Sequence, residues 1–188
     1  MNINVKKRNG RLVDFDVEKI NRSAERACEN LENVSASEIV LDAKIKLYDK
    51  VKTSEIDKSL ISSASSKIEK DPNYNYVAAR LLLNTIYKEV FGESVYSESF
   101  ELQYHKSFIV NLKKLVKEGI LDKKLTEEFD LKKLSEAIDT NRDLKWKYLG
   151  IQTIYDRYLL HIEGRRMESP QGFFMRVAMG LALAEKEN

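Results

Sequence analysis

Residues 4–20 read Asn4-Val5-Lys6-Lys7-Arg8-Asn9-Gly10-Arg11-Leu12-Val13-Asp14-Phe15-Asp16-Val17-Glu18-Lys19-Ile20, and two signals in that run set the start of the fold. Asn9-Gly10 between short β-prone stretches supplies the positive φ angles of a tight turn, which predicts a β-hairpin over residues 3–15. Asp16 then stands at an N-cap position, and Val17, Ile20, Ala24, Ala27 and Leu31 recur at three- and four-residue steps, one face of an amphipathic helix.

More helices are written beyond it. Ser35-Ala36-Ser37-Glu38 has capping-box spacing and opens a second helix through Val40, Ala43 and Leu47. Thr53 starts a third, with Ile56, Leu60, Ala64 and Ile68 in step, that is expected to end at Asp71-Pro72-Asn73. The stretch Val77 to Val90 is apolar nearly all round, as a central helix would be, and Gly92 closes this first module. From Glu93 onward the chain reads as helices joined by polar turns such as Lys117-Glu118-Gly119 and Asp139-Thr140-Asn141. Phe100, Tyr104, Phe108, Leu112 and Leu115 form one apolar stripe, and Trp146, Leu149, Ile151, Ile154 and Tyr158 mark another. Ser169-Pro170 starts a last helix with Phe174, Val177, Ala178 and Leu181 on one face. The fold class is therefore mainly α with a small N-terminal β-hairpin.

The chain has 188 residues, 43% hydrophobic and 33% charged, which suits one or two globular modules rather than a disordered chain. Lys and Arg number 32 against 30 Asp and Glu, so the formal charge of +2 lacks the surplus of a protein that grips nucleic acid over its whole surface. No apolar run approaches the ~18–20 residues that cross a bilayer, and a cytoplasmic protein without nucleic-acid or membrane partners is expected. The single cysteine, Cys28, excludes a disulfide framework, a four-cysteine zinc site and redox chemistry that needs two thiols of this chain.

Three features point to anion binding: Lys6-Lys7-Arg8 beside the amides of Asn9-Gly10, the helix start at Thr53, and Lys88 emerging from an apolar helix. Basic side chains pair phosphate oxygens, and a helix N-terminus adds free amides and the positive end of its dipole. The same residues also fit a charged turn, an ordinary cap and a snorkelling lysine. Neither GxxxxGK[ST] nor GxGxxG is present. His105 and His161 lack metal-ligand spacing, and no catalytic or metal-ligating residue is assigned.

Four blocks occur in order: Val5-Lys6-Lys7-Arg8-Asn9-Gly10, Phe15-Asp16-Val17-Glu18-Lys19-Ile20, Lys52-Thr53-Ser54-Glu55-Ile56 and Tyr76-Val77-Ala78-Ala79-Arg80-Leu81. Together they resemble the ATP-cone. With Tyr155-Asp156-Arg157-Tyr158 and Glu168-Ser169-Pro170-Gln171, the whole chain is similar to the N-terminal portion of the large α subunit of class I ribonucleotide reductases. The resemblance implies an ATP-cone of hairpin plus four-helix bundle over residues 1–92, the allosteric activity domain. It implies that residues 93–188 are the helical region flanking an α/β barrel that is absent here. In the family that barrel carries the radical-forming cysteine and the redox cysteine pair, so this sequence is expected to be a fragment inactive alone.

The resemblance also assigns the site. Lys7, Arg8 and Lys88 match positions that meet nucleotide phosphates, and Thr53 matches the hydroxyl at the helix start. Val5, Phe15, Asp16, Lys19 and Ile20 match positions around adenine. Asp57 stands where some members place a histidine near the ribose, Asn84-Thr85 replace an aromatic-histidine pair, and Val13 replaces an acidic contact. The implied effectors are ATP, activating, and dATP, inhibiting, with Mg²⁺; no catalytic cofactor is expected in this portion. The implied partners are the remainder of the α subunit, other α subunits and the small radical-generating β subunit. Two other functions fit the residues: a free-standing ATP-cone sensor that regulates another partner, and a degenerate cone with a structural role only.

Overall fold

The computed structural model describes residues 4–8, 10–44, 48–92 and 99–186. The chain divides into two compact units, Met1–Thr85 with Trp146–Gln152, and Ile86–Lys145 with Thr153–Asn188.

In the first unit the predicted hairpin forms from β1 (Asn4–Lys6) and β2 (Leu12–Asp14), antiparallel, with Val5 opposite Val13. Gly10 closes the turn at φ 83°, where a side chain would be strained, while Asn9 and Ile3 lie outside the described residues. Helix α1 (Val17–Cys28) starts as its cap predicts, the Glu18 amide donating to Asp16 Oδ1 at 3.0 Å, and it buries Ile20, Ala24 and Ala27. At its C-terminus the Arg80 guanidinium donates to the carbonyls of Ala27 and Glu29, at 3.1 and 2.6 Å.

Helix α2 (Ala36–Lys44) begins at Ser35, whose Oγ accepts the Glu38 amide at 3.3 Å. The reciprocal half of the capping box is not made. The Ser35 amide donates instead to Tyr74 Oη at 3.0 Å, and the Glu38 carboxylate meets Lys67 and Lys70. Leu47 lies outside the described residues.

Next comes a strand that the periodicity did not announce. Residues Val51–Lys52 form β3, which pairs in parallel with β1, so the sheet order is β2-β1-β3. Helix α3 (Thr53–Ser65) starts where predicted but ends before Ile68 and Pro72. Its serines end it early: Ser65 Oγ takes the Ser62 carbonyl at 3.1 Å and Ser66 Oγ the Ser63 carbonyl at 2.9 Å, while the amides of Lys67 and Ile68 fall back to three-residue bonds. Asp71 then accepts the Asn73 amide at 2.8 Å and α4 (Tyr74–Val90) begins three residues before Val77. Val77, Ala78, Ala79 and Leu81 to Leu83 are all buried, as an all-round apolar helix requires. The division between the units falls within α4, between Thr85 and Ile86.

The second unit is built on α5 (Phe100–Lys117), in which Tyr104, Phe108, Leu112 and Leu115 are buried. Tyr87 lies edge-on to Phe100 and Tyr104 at centroid distances of 5.1 and 5.6 Å. Gly119 at φ 72° ends α5, with the Ile120 amide returning to the Leu115 carbonyl at 3.0 Å. Short helices α6 (Lys124–Glu127) and α7 (Leu131–Glu136) come next, then a 3₁₀ turn, η1 (Thr140–Lys145), and α8 (Tyr148–Arg157), which crosses the unit division.

The helical expectation for this half omitted a two-stranded ribbon, β4 (His161–Ile162) against β5 (Arg165–Arg166), whose turn places Glu163 and Gly164 at φ 50° and 78°. Helix α9 (Pro170–Lys186) opens at Ser169 as predicted. Two apolar stripes differ from expectation. Ile151 and Ile154 are buried but Leu149 and Tyr158 are exposed, and in α9 Phe174, Val177, Ala178 and Leu181 all face outward while Met179 is buried. Periodicity marks an apolar face without naming what covers it.

Candidate nucleotide-binding site

The register of β1 sets the geometry. Lys6 pairs with Lys52, so two parallel strands end at the same level, one running into the Lys7-Arg8 turn and the other into Thr53, the first residue of α3. The Lys7 amide donates to the Arg11 carbonyl at 2.8 Å and its carbonyl accepts the Gly10 amide at 2.9 Å, which fixes the turn. No side chain caps α3 at its N-cap residue Lys52, so its positive dipole end faces the level at which Lys7 and Arg8 emerge.

Arg8 Nη2 lies 3.6 Å from Asp57 Oδ2, one turn into α3 and on the Thr53 face. Hairpin and helix therefore bring Arg8 and Asp57 together, with Thr53 one turn before Asp57 on the same helix face and Lys7 next to Arg8 in the chain. Nearby, Tyr48 donates to Glu55 Oε2 at 2.5 Å, a bond that raises the phenol's pKa above its ordinary value.

Around the start of α1, Lys19 Nζ is 3.4 Å from Asp16 Oδ2 while Oδ1 caps the helix, so the carboxylate serves two donors at once. Desolvation, which acts upward, is outweighed by the Lys19 and Glu18 hydrogen bonds, and the carboxyl is held below its usual range. Phe15 is half-buried, Lys19 exposed and Ile20 buried. Val5 is a core side chain on the central strand, flanked by Val13 and Val51. Lys88 is half-buried near the end of α4 and belongs to the second unit.

The departures from the family pattern have physical consequences. Val13 pairs across the hairpin with Val5, Asp57 engages Arg8, and Asn84 and Thr85 are buried. Thr85 Oγ1 donates back to the Leu81 carbonyl at 3.4 Å, whereas Asn84 Oδ1 meets no hydrogen-bond donor among the described residues.

Basic side chains and an uncapped helix start favour a polyanion, and among the described residues no cluster of three His, Cys, Asp or Glu could hold a metal ion. Burial pushes the Cys28 thiol up to about 11 against a weaker pull from Arg80, which keeps it in the thiol form at neutral pH. His105 Nε2 is 3.1 Å from the Ile138 carbonyl. Sequence reasoning missed β3, whose two residues carry no periodic signal, and the buried carboxylates Asp143 and Glu168 of the second unit. Among the described residues no helix is long and apolar enough to cross a membrane.

The ATP cone domain family matches residues 3–89, and the all-alpha domain of ribonucleotide reductase matches residues 144–188. The chain is 43% identical to the ribonucleoside-diphosphate reductase subunit alpha of Chlamydia trachomatis over 166 residues, 86% of this chain and 16% of that protein. It is 41% identical to the Helicobacter pylori subunit alpha over 187 residues, 98% of this chain and 23% of the relative. It is also 32% identical to Escherichia coli ribonucleoside-diphosphate reductase 1 subunit alpha over 183 residues, 94% and 23% respectively. The chain thus spans 16–23% of the length of these relatives. It therefore belongs with proteins that join an ATP cone domain to ribonucleotide reductase all-alpha sequence, and over most of its length it is homologous to ribonucleoside-diphosphate reductase α subunits.

Proposed function

We propose that this chain is the nucleotide-sensing and scaffold part of a cytoplasmic ribonucleoside-diphosphate reductase, with ATP permitting and dATP suppressing the formation of deoxyribonucleotides by the whole enzyme. Residues 1–92 act as the activity domain and residues 93–188 as the helical region beside the catalytic barrel. The observation that carries this reading is the parallel pairing of β1 with β3, which sets the Lys7-Arg8 turn level with the uncapped start of α3. Arg8, Lys7 and Thr53 grip the phosphates, the resemblance adds Lys88, and Asp57 lies toward the ribose. Val5, Phe15, Asp16, Lys19 and Ile20 surround the base. Mg²⁺ is carried on the nucleotide's own phosphates and waters, the usual habit of that ion.

Regulation requires that the two effectors favour different assemblies of α subunits with each other and with the radical-generating β subunit, because a ligand that binds both states equally shifts neither. The outward apolar face of α9 supports a scaffold role, since Phe174, Val177 and Leu181 suit contact with the rest of an α subunit. A chain with one cysteine, half-buried, does not itself cycle through a radical thiol and a thiol pair.

Calorimetric titration of ATP and dATP with Mg²⁺ into the 188-residue chain tests the reading, with Lys7→Ala/Lys88→Ala as control. Saturable binding that the control loses is expected. Absence of binding by the folded chain would leave only a structural role.

A further inference from the structure

The ion pair between Arg8 and Asp57 sits inside the arrangement that the nucleotide reading assigns to phosphate, and one partner has the wrong sign for that task. Arg8 is a cation that a polyphosphate could meet at the hairpin, yet its guanidinium already faces a carboxylate at 3.6 Å. Asp57 is the more sheltered of the two, with 14% of its side chain exposed against 33% for Arg8, so Arg8 is the member with room to turn outward. Asp57 also shares a face of α3 with Thr53, four residues away, and so adds a negative charge one turn behind the helix start.

We infer that Asp57 is a built-in competitor for Arg8: it holds the guanidinium when no ligand is bound, and an incoming polyphosphate must take Arg8 from it. The inference rests on the nucleotide reading above and adds a rule to it. Affinity is set by the difference between the phosphate's hold on Arg8 and that of Asp57, and it is lowered further by repulsion between the carboxylate and the phosphates. Metal-free polyphosphate, carrying more negative charge, is penalised more than its Mg²⁺ complex. Asp57 thereby makes the site selective for the metal-bearing form of the nucleotide, without touching the metal.

The test measures affinities of the 188-residue chain for ATP and for inorganic tripolyphosphate, each with Mg²⁺ and with chelator, in wild type, Asp57→Asn and Asp57→Ser, with thermal melting to verify folding. Asp57→Asn should bind metal-free ATP and tripolyphosphate about fivefold more tightly, the size of effect expected for removing one like charge and one competing partner at a partly exposed site. The gain should shrink with Mg²⁺ and in an Arg8→Ala background. Equal or weaker binding by both Asp57 variants, with wild type still binding, would overturn the competitor role and leave the nucleotide reading standing, as would a gain undiminished without Arg8. Failure of every folded protein to bind either probe would overturn both.

Discussion

Tyr87 Oη lies 2.5 Å from Asp143 Oδ2, and Tyr104 Oη lies 2.7 Å from the same oxygen. Asp143 is 1% exposed in a turn that reads as polar, and Gln171 Nε2 supplies a third donor, to Oδ1, at 3.3 Å. Three donors on α4, α5 and α9 thus converge on one carboxylate of η1 and tie the second unit together. Asp143→Ala leaves two buried phenols without an acceptor and should cost about 3 kcal/mol in urea unfolding.

Burial raises the Asp143 pKa, against the opposing hydrogen bonds of Tyr87, Tyr104 and Gln171, and the neighbouring Asp139 adds to the rise. The folded state therefore holds this proton more tightly than the unfolded chain, whose carboxyl titrates near about 3.9. The stability contributed by protonated Asp143 is full below that value and is lost as pH climbs through the raised folded value. Asp143→Asn, which cannot ionise, should gain on wild type as pH rises from acid toward neutral. A stability difference that stays constant over that range, measured by urea midpoints, would contradict the assignment.

Cys28 should be slow to alkylate in the folded protein. With its thiol pushed up to about 11, about one part in a thousand is thiolate at pH 8, against roughly a quarter for a free cysteine. Iodoacetamide labelling at pH 8 is expected to be roughly a hundredfold slower in buffer than in urea, and comparable rates would show the thiol to be open.

Val51→Ala tests the third strand. The side chain is 2% exposed opposite Val5, and its truncation should cost about 2 kcal/mol. Because Val51 precedes Lys52 and Thr53, calorimetry should also find weaker ATP binding. Leu12→Ala on the other edge strand, at a half-exposed position, should change stability by less than about 0.5 kcal/mol.

The outward face of α9 should govern association of the isolated chain. Phe174→Ser with Leu181→Ser, at 48% and 65% exposed positions, should leave the melting temperature within a few degrees of wild type and reduce self-association in sedimentation velocity. A large fall in melting temperature would place that face inside the folded chain.

Much of the architecture was legible because its signals are local. Asp16, Ser35, Thr53 and Ser169 mark helix starts within a few residues of the helices they open, and Asn9-Gly10 marks the hairpin. The features that escaped depend on partners distant in sequence. Strand β3 is two residues long and exists through its pairing with β1, and Asp143 looks like any turn aspartate until three helices bring donors to it. The end of α3 was misplaced because serine hydroxyls competed for backbone groups that the apolar period ignores. For the candidate site, the cationic residues and the helix start were visible in order, whereas the pairing of Arg8 with Asp57 was not, since no spacing rule joins a hairpin turn to a helix beyond two others.

The central position of β1 also dictates an order of assembly. One neighbour, β2, is only a turn away, whereas the other, β3, arrives after α1 and α2 have been made. As the chain emerges during synthesis, the hairpin is for a time a two-stranded ribbon, marginal in water, and the corner between the Lys7-Arg8 turn and the start of α3 does not yet exist. It is completed only when a long loop closes, a step whose entropy slows folding. Substitutions in α1 or α2 that destabilise this closure should therefore disturb the corner from a distance, whereas those that only delay it should slow folding and leave the finished corner intact. Any ligand gripping both the turn and the helix start would in return favour the closed chain by mass action, acting as a folding partner as well as a signal.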